Sequence, residues 1–273
     1  MDDYRGRTAM VTGASKGIGR AYAHELASRG ADVILVARSE PALSRVADDL
    51  RSQHPTTITT VPADLGTADG VDALLEYVAA EDLRIDLLVN NAGVGSVGPF
   101  LENPLAGHQR SIDLNITGLT TLTYHLGRSM VSRGAGGIIN VASTAAFQPM
   151  PYQAGYAATK AFVLSFTEAL AEELRGTGVH VMAAHPGGTA TSFFDGSTAT
   201  LQAARLDTPE KVAADTLDDY TRRRTASYPG RFTNHASTTV SRFLPRKAVM
   251  KLTATLNRKL GLHESRDRTD MRN

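Results

Sequence analysis

Short runs of apolar, mostly β-branched residues alternate along this chain with longer segments whose apolar positions recur every three or four residues. The first pattern is that of strands buried on both faces, the second that of amphipathic helices. Strands are predicted at Thr8–Thr12, Asp32–Ala37, Thr57–Pro62, Asp86–Asn90, Gly137–Ala142 and Val179–Ala184. Helices are predicted at Gly17–Arg29, Pro41–Gln53, Asp69–Glu81, a pair within Pro104–Arg133, then Tyr156–Arg175 and Pro209–Arg222. Strands alternating with crossover-length helices imply an α/β fold: a doubly wound, mostly parallel sheet, Rossmann-like, with helices on both faces. Ligands of such sheets sit beyond the carboxyl ends of the strands, where the winding reverses.

Residues 1–273 fit one large domain, with a C-terminal helical extension expected to pack on it from residue 222. Lys and Arg number 29 against 28 Asp and Glu, which argues against a nucleic-acid partner. The absence of Cys removes disulfides, thiolate nucleophiles and Cys-containing zinc sites. The eight His lack metal-ligand spacing and no Gly-x-Ser-x-Gly elbow occurs, so no metal site and no acyl-enzyme chemistry is expected. With no apolar leader at Met1–Arg7 and no run long enough to span a bilayer, the expectation is a soluble, cytoplasmic protein. The sequon Asn115-Ile116-Thr117 carries no weight without such a leader.

Candidate chemistry begins where the first strand runs into Thr12-Gly13-Ala14-Ser15-Lys16-Gly17-Ile18-Gly19 and then a helix. Glycines allow a sharp turn and close approach to a pyrophosphate, which the helix N-terminus attracts. At the end of the second strand, Val36-Ala37-Arg38-Ser39 offers no carboxylate for a ribose 2′-hydroxyl. Arg38 instead supplies a donor fork for a 2′-phosphate, with Lys16 as a second cation, so NADP(H) is the expected cofactor. Asp64, followed by Leu65, either accepts from an adenine amino group or caps a turn. Asn91-Ala92-Gly93, after Asn90, brings backbone close to a cofactor ribose. Tyr156 and Lys160 share a helix face, four residues apart, after Ser143 at the end of the fifth strand. A neighbouring ammonium favours phenolate, so Lys160 is expected to bring Tyr156 towards the working pH for acid/base catalysis, with Ser143 hydrogen-bonding the same substrate oxygen.

From Arg7 to Thr191 the order of these motifs resembles the short-chain dehydrogenase/reductase family, Leu114-Asn115-Ile116-Thr117-Gly118 and Pro186-Gly187 included. The resemblance implies that Tyr156 donates or accepts the proton and that Ser143 orients and stabilises the carbonyl. It implies that Lys160 holds the nicotinamide ribose and lowers the phenol's pKa, and that Asn115 supports a water-linked proton relay. The alternative for Asn115 is a helix-interior amide that bends the helix. By the same resemblance, Pro186, Gly187, Thr189 and Thr191 lie along the cofactor, Thr191 at the nicotinamide carboxamide. The expected reaction interconverts a carbonyl and a secondary alcohol, on a lipophilic ketone, a 3-oxoacyl thioester or a steroid-like compound. The contrasting reading is an NADP(H) sensor or scaffold acting through its tail, and an intact Ser143, Tyr156 and Lys160 argues for the enzyme.

After Pro186 a Thr/Ser/Gly/Ala-rich stretch to Thr200 reads as a long loop of the lid type. Its Phe193-Phe194 pair, with Val94, Met150 and Tyr152 opposite, is expected to wall an apolar substrate site. Beyond Arg222 the chain turns basic, and a helix over Ala248–Leu260 spaces Val249, Leu252, Leu256 and Leu260 as an apolar face among cations. Docking on its own domain is the first expectation for that helix. The others are covering the cleft, packing on a second subunit of a homo-oligomer, and lying on an anionic membrane surface.

Overall fold

The computed structural model describes residues 4–191, 193 and 206–263. Six of its strands are the predicted ones to within a residue: β1 (Thr8–Thr12), β2 (Asp32–Ala37), β3 (Ile58–Pro62), β4 (Leu87–Asn90), β5 (Gly136–Val141) and β6 (Val179–Ala184). A seventh, β7 (Ala226–Ser227), adds an edge, and the sheet runs β3-β2-β1-β4-β5-β6-β7 with every pairing parallel. The winding reverses between β1 and β4, which pair at Val11 and Val89. Their carboxyl ends open the crevice in which such sheets bind ligands.

Successive strand residues face opposite layers. Val11 and Leu35 join a core under α1 (Gly17–Ser28), α2 (Glu40–Gln53) and α7 (Pro209–Thr221), whereas Met10 and Ile34 join one under the other helices. Those are α3 (Ala68–Ala80), α5 (Leu119–Arg133) and α6 (Ala154–Glu173), while α4 (Leu105–Ile112) leads into α5. The Thr67 and Thr208 hydroxyls cap α3 and α7 by accepting from Gly70 N and Lys211 N, and Gly134, with φ of 66°, ends α5 in the left-handed conformation. Asn90, whose motif was read as cofactor-facing, is buried and donates to Asn140 Oδ1 at 2.9 Å and Thr123 Oγ1 at 3.0 Å. Its side chain ties β4 to β5 and α5.

Three features depart from the sequence reading. The expected helix pair within Pro104–Arg133 is a nearly unbroken rod in which residues Asp113–Gly118 form a π-helical turn. Phe232–Phe243 forms a helix, α8, that its Thr, Ser, Asn and His content had concealed. On the last helix, α9 (Arg246–Lys259), the buried positions are Val249, Thr253 and Asn257, while Leu252 and Leu256 are exposed. The predicted apolar face is therefore only partly turned inwards: Val249 is buried as expected, whereas the stripe against the domain also takes in Thr253 and Asn257, whose Nδ2 donates to the Pro151 carbonyl at 2.7 Å.

Candidate active site

The turn from β1 into α1 has almost no room for side chains. Gly13 has φ of 68°, and a Cβ there would lie 3.0 Å from the Ala92 backbone. A Cβ on Gly19 would collide with the Gly13 carbonyl. Thr12, unremarked as a site residue, fastens this turn to the end of β4: its hydroxyl accepts from Asn91 N at 3.0 Å and Ala92 N at 2.9 Å and donates to the Val89 carbonyl. The Asn91 side chain donates to the Thr12 carbonyl at 2.9 Å, so its amide positions the turn. The signal was present in the strand's last Thr, but a buried hydroxyl in a β-branched run reads as strand propensity.

A cleft of about 1070 Å³ extends from this turn across the carboxyl ends of the strands. Gly13, Ser15, Lys16, Gly17, Ile18, Gly19, Arg38, Asp64, Leu65, Asn91, Ala92 and Gly93 line one half of it. Ser143, Tyr156, Lys160, Pro186, Gly187, Thr189 and Thr191 line the other. Lys16 in the glycine turn and Arg38 where β2 ends are exposed, and Arg45 of α2, which the sequence reading missed, joins them along the wall. Its contribution depends on α2 leaning over the strand end, which no local motif encodes. Asp64 is split between both of its expected roles: it faces the cleft, and its Oδ1 accepts from Gly66 N at 3.1 Å and from Arg110. Burial raises its pKa, but the Arg110 guanidinium and the Gly66 N–H outweigh that and hold it below the ordinary carboxylate range.

At the other half, α6 carries Tyr156 and Lys160 one turn apart, and Ser143 follows the end of β5 by two residues. The missing side chain of Gly95 makes room for the Tyr156 ring, because a Cβ there would sit 2.7 Å from its Cδ2. Phe193 closes over the phenol with ring centroids 4.9 Å apart. Lys160 is buried, donates to the Val141 carbonyl at 2.6 Å and lies 5.9 Å from the Tyr156 ring centroid. Burial pushes the Tyr156 phenol up to about 12, opposed by its hydrogen bond with Ser143, and brings the Lys160 ammonium down to about 8. The phenol's net shift is upward, from burial, rather than the lowering expected from Lys160. Desolvation dominates both groups, and the ammonium is engaged by a carbonyl rather than by the phenol.

Asn115 does not line the cleft. It is fully buried in the π-helical turn, where Oδ1 accepts from Val94 N at 3.0 Å and Nδ2 donates to Val94 O at 2.8 Å and Thr159 Oγ1 at 2.9 Å. It still belongs to the site: a Cβ on Gly93 would meet Asn115 Oδ1 at 3.3 Å and Lys160 Nζ at 3.4 Å, so both groups converge over that glycine. The extra residue of a π-turn lets this amide brace the Val94 loop, and such turns recur at functional sites.

Val94, Met150 and Phe193 line the cleft as expected, whereas Tyr152 does not. Tyr152 adopts φ of 68° and its ring stands edge-on to His263 instead. Phe194 lies outside the described residues. The apolar wall is completed by Leu256, Leu260 and Leu262, so the C-terminal segment docks on its own domain and covers the cleft at once. Among the described residues no cluster of His, Asp or Glu could hold a metal ion.

A cleft with a glycine cradle at one end and a hydroxyl, phenol and ammonium at the other fits an elongated dinucleotide and a small reacting group. A family model for short chain dehydrogenases matches residues 7–202. The chain is 38% identical over 185 residues to a short chain dehydrogenase of Pseudocercospora fijiensis, covering 67% of this chain and 60% of that one. It is 38% identical over 213 residues to a 3-oxoacyl-[acyl-carrier-protein] reductase of Synechocystis sp., covering 76% of this chain and 86% of that one. Among solved structures, a short-chain dehydrogenase from Sphingobium yanoikuyae in complex with NADPH superposes with a TM-score of 0.78 at 31% identity, covering 96% of this chain and 99% of that one. This protein belongs to the short-chain dehydrogenase family and is an oxidoreductase of the nicotinamide-dependent kind.

Proposed function

We propose that the protein is an NADP(H)-dependent reductase or dehydrogenase that interconverts a lipophilic carbonyl compound and its secondary alcohol. The observation that carries this reading is the meeting of Ser143, Tyr156 and Lys160 in one cleft with the glycine cradle of Gly13 and Gly19. Preference for the phosphorylated cofactor rests on Arg38 and Arg45, beside a strand end, Val36–Ser39, that holds no acid, and on Lys16 in the glycine turn. The Sphingobium yanoikuyae relative holds NADPH. Preference for a lipophilic substrate rests on the wall formed by Val94, Met150, Phe193, Leu256 and Leu260.

When bound, the nicotinamide supplies or accepts a hydride at the carbonyl carbon. Tyr156, with its pKa held near 12, is protonated at neutral pH and donates to the carbonyl oxygen during reduction. The Ser143 hydroxyl, itself fixed by accepting from Ala145 N at 3.1 Å, points the same oxygen towards that phenol. Lys160, anchored on Val141, places a positive charge beside the phenolate that forms as the proton leaves. Phe193 and the α9 leucines keep water from the reacting atoms.

The test is Tyr156→Phe. The variant should bind NADPH as the wild type does while turnover falls by about 10²- to 10⁴-fold on a panel of ketones and 3-oxoacyl thioesters. Near-normal turnover overturns the acid assignment, and tighter binding of NADH than NADPH by the wild type overturns the cofactor assignment. We also propose a homo-oligomer, since α5 and α6 cover the same sheet layer and leave Tyr124, Val131 and Phe162 exposed.

A further inference from the structure

Charge is segregated along this chain. From Arg222 to His263 there are ten Lys and Arg and no acid, leaving 19 cations against 28 acids on the rest. Arg222 and Arg224 pair with Asp219, and Arg231 with Asp207. Arg246, Lys247, Lys251, Arg258 and Lys259 form no ion pair with any described residue.

Large apolar side chains stand exposed among these cations. Phe243, 83% exposed, ends α8 and is followed by Leu244 at the corner into α9; Leu252, 65% exposed, and Leu256 continue along α9 one turn apart. Burial of Val249, Thr253 and Asn257 fixes the adjoining stripe of α9 against the domain. Leu252 and the neighbouring cations are therefore held outwards, with Leu256 on the border between that flank and the cleft.

We propose that the α8–α9 corner docks this protein on an anionic lipid bilayer, with Phe243, Leu244 and Leu252 entering the acyl boundary and Lys247, Lys251 and Lys259 meeting headgroup phosphates. A basic helix with interspersed large apolar side chains is built for that boundary. A bilayer accepts projecting side chains such as Phe243 and Leu252, and the excess of cations around them complements anionic headgroups. No described helix is long and apolar enough to cross a membrane, so the contact is peripheral. Leu256 belongs both to the exposed flank and to the cleft wall, so the docked orientation turns the cleft mouth towards the lipid. Docking itself does not depend on the reaction proposed above.

The experiment is co-sedimentation of the full chain with vesicles of phosphatidylcholine alone and of equal parts phosphatidylcholine and phosphatidylserine, at about 0.1 M salt. The wild type should sediment with the anionic vesicles only. Lys247→Glu/Lys251→Glu and Phe243→Ser/Leu252→Ser should each weaken that partition by more than about tenfold. NADPH binding and thermal unfolding should stay as in the wild type, which separates lost docking from lost fold. Failure of the wild type to sediment, equal sedimentation with neutral vesicles, or wild-type partition of both variants overturns the proposal. So does retention by an acidic acyl carrier protein without vesicle binding, which would assign the surface to a protein partner.

Discussion

Lys160 shows how much a single residue can cost the fold that positions it. Its ammonium is buried against one carbonyl, and burial lowers its pKa from 10.5 to about 8. The unfolded chain therefore holds a proton on Lys160 between pH 8 and 10.5 that the native state has released, and stability must rise with pH across that window. The destabilisation is complete below pH 8 and fades above it. Tyr156 acts with the opposite sign, because its native pKa near 12 lets the unfolded chain release a proton first, and it lowers stability only above pH 10. Between pH 7.5 and 9.5 the Lys160 contribution should add about 2 kcal/mol to the unfolding free energy of the cofactor-free protein. Urea unfolding of wild type and Lys160→Met at the two pH values measures it. The variant should be more stable than wild type at pH 7.5, with the gap narrowing at pH 9.5; a gap independent of pH contradicts the buried-ammonium account.

At the scale of elements, Asn257 makes a directional contact that ties α9 to the domain beside the cleft. Its amide donates to Pro151 O from a position 2% exposed, so Asn257→Ala leaves that carbonyl unpaired under the helix. An unmade buried hydrogen bond costs about 1–3 kcal/mol, charged here to the local opening of one helix. Trypsin should then cleave after Lys251, Arg258 and Lys259 roughly tenfold faster or more, with the substrate KM raised and NADPH binding kept. Wild-type cleavage and KM would show that the hydrogen bond does not hold the lid. This helix also marks where sequence periodicity stops being informative. Leu252, Leu256 and Leu260 repeat at helical spacing, yet one polar anchor on the neighbouring stripe decides which side faces the domain. In β1 to β6 the same reasoning worked because buried parallel strands have no competing side: every residue of β6 is buried, so hydrophobicity alone locates it. The two residues of β7 are too few to form a pattern, and α8 is helical through tertiary context rather than propensity.

For the whole molecule, most of the ordered motifs from Gly13 to Thr191 were legible because they stand at strand ends, which the sheet collects in one crevice, while Tyr156 and Lys160 were legible from their spacing on one helix. The residues that stayed hidden, Arg45 and Arg110, come from helix flanks whose approach to that crevice depends on packing angles. The outer layer of the molecule poses the same problem, since α5 leaves Tyr124 and Val131 exposed seven residues apart and α6 leaves Phe162 exposed against Phe166. Neither helix needs these side chains for its own core, where Leu122, Leu126, Met130 and Val163 already pack. Apolar surface shared by two adjacent helices is what an isologous contact between copies would bury. Sedimentation of the wild type should therefore show a dimer or larger species, and Val131→Asp and Phe162→Asp should each shift it to monomer with the circular dichroism unchanged. A charge placed in such an interface is desolvated without a partner, which costs several kcal/mol and suffices to dissociate a micromolar contact. A wild type that sediments as a monomer at high protein concentration, or variants that stay assembled, would show that this face meets only water.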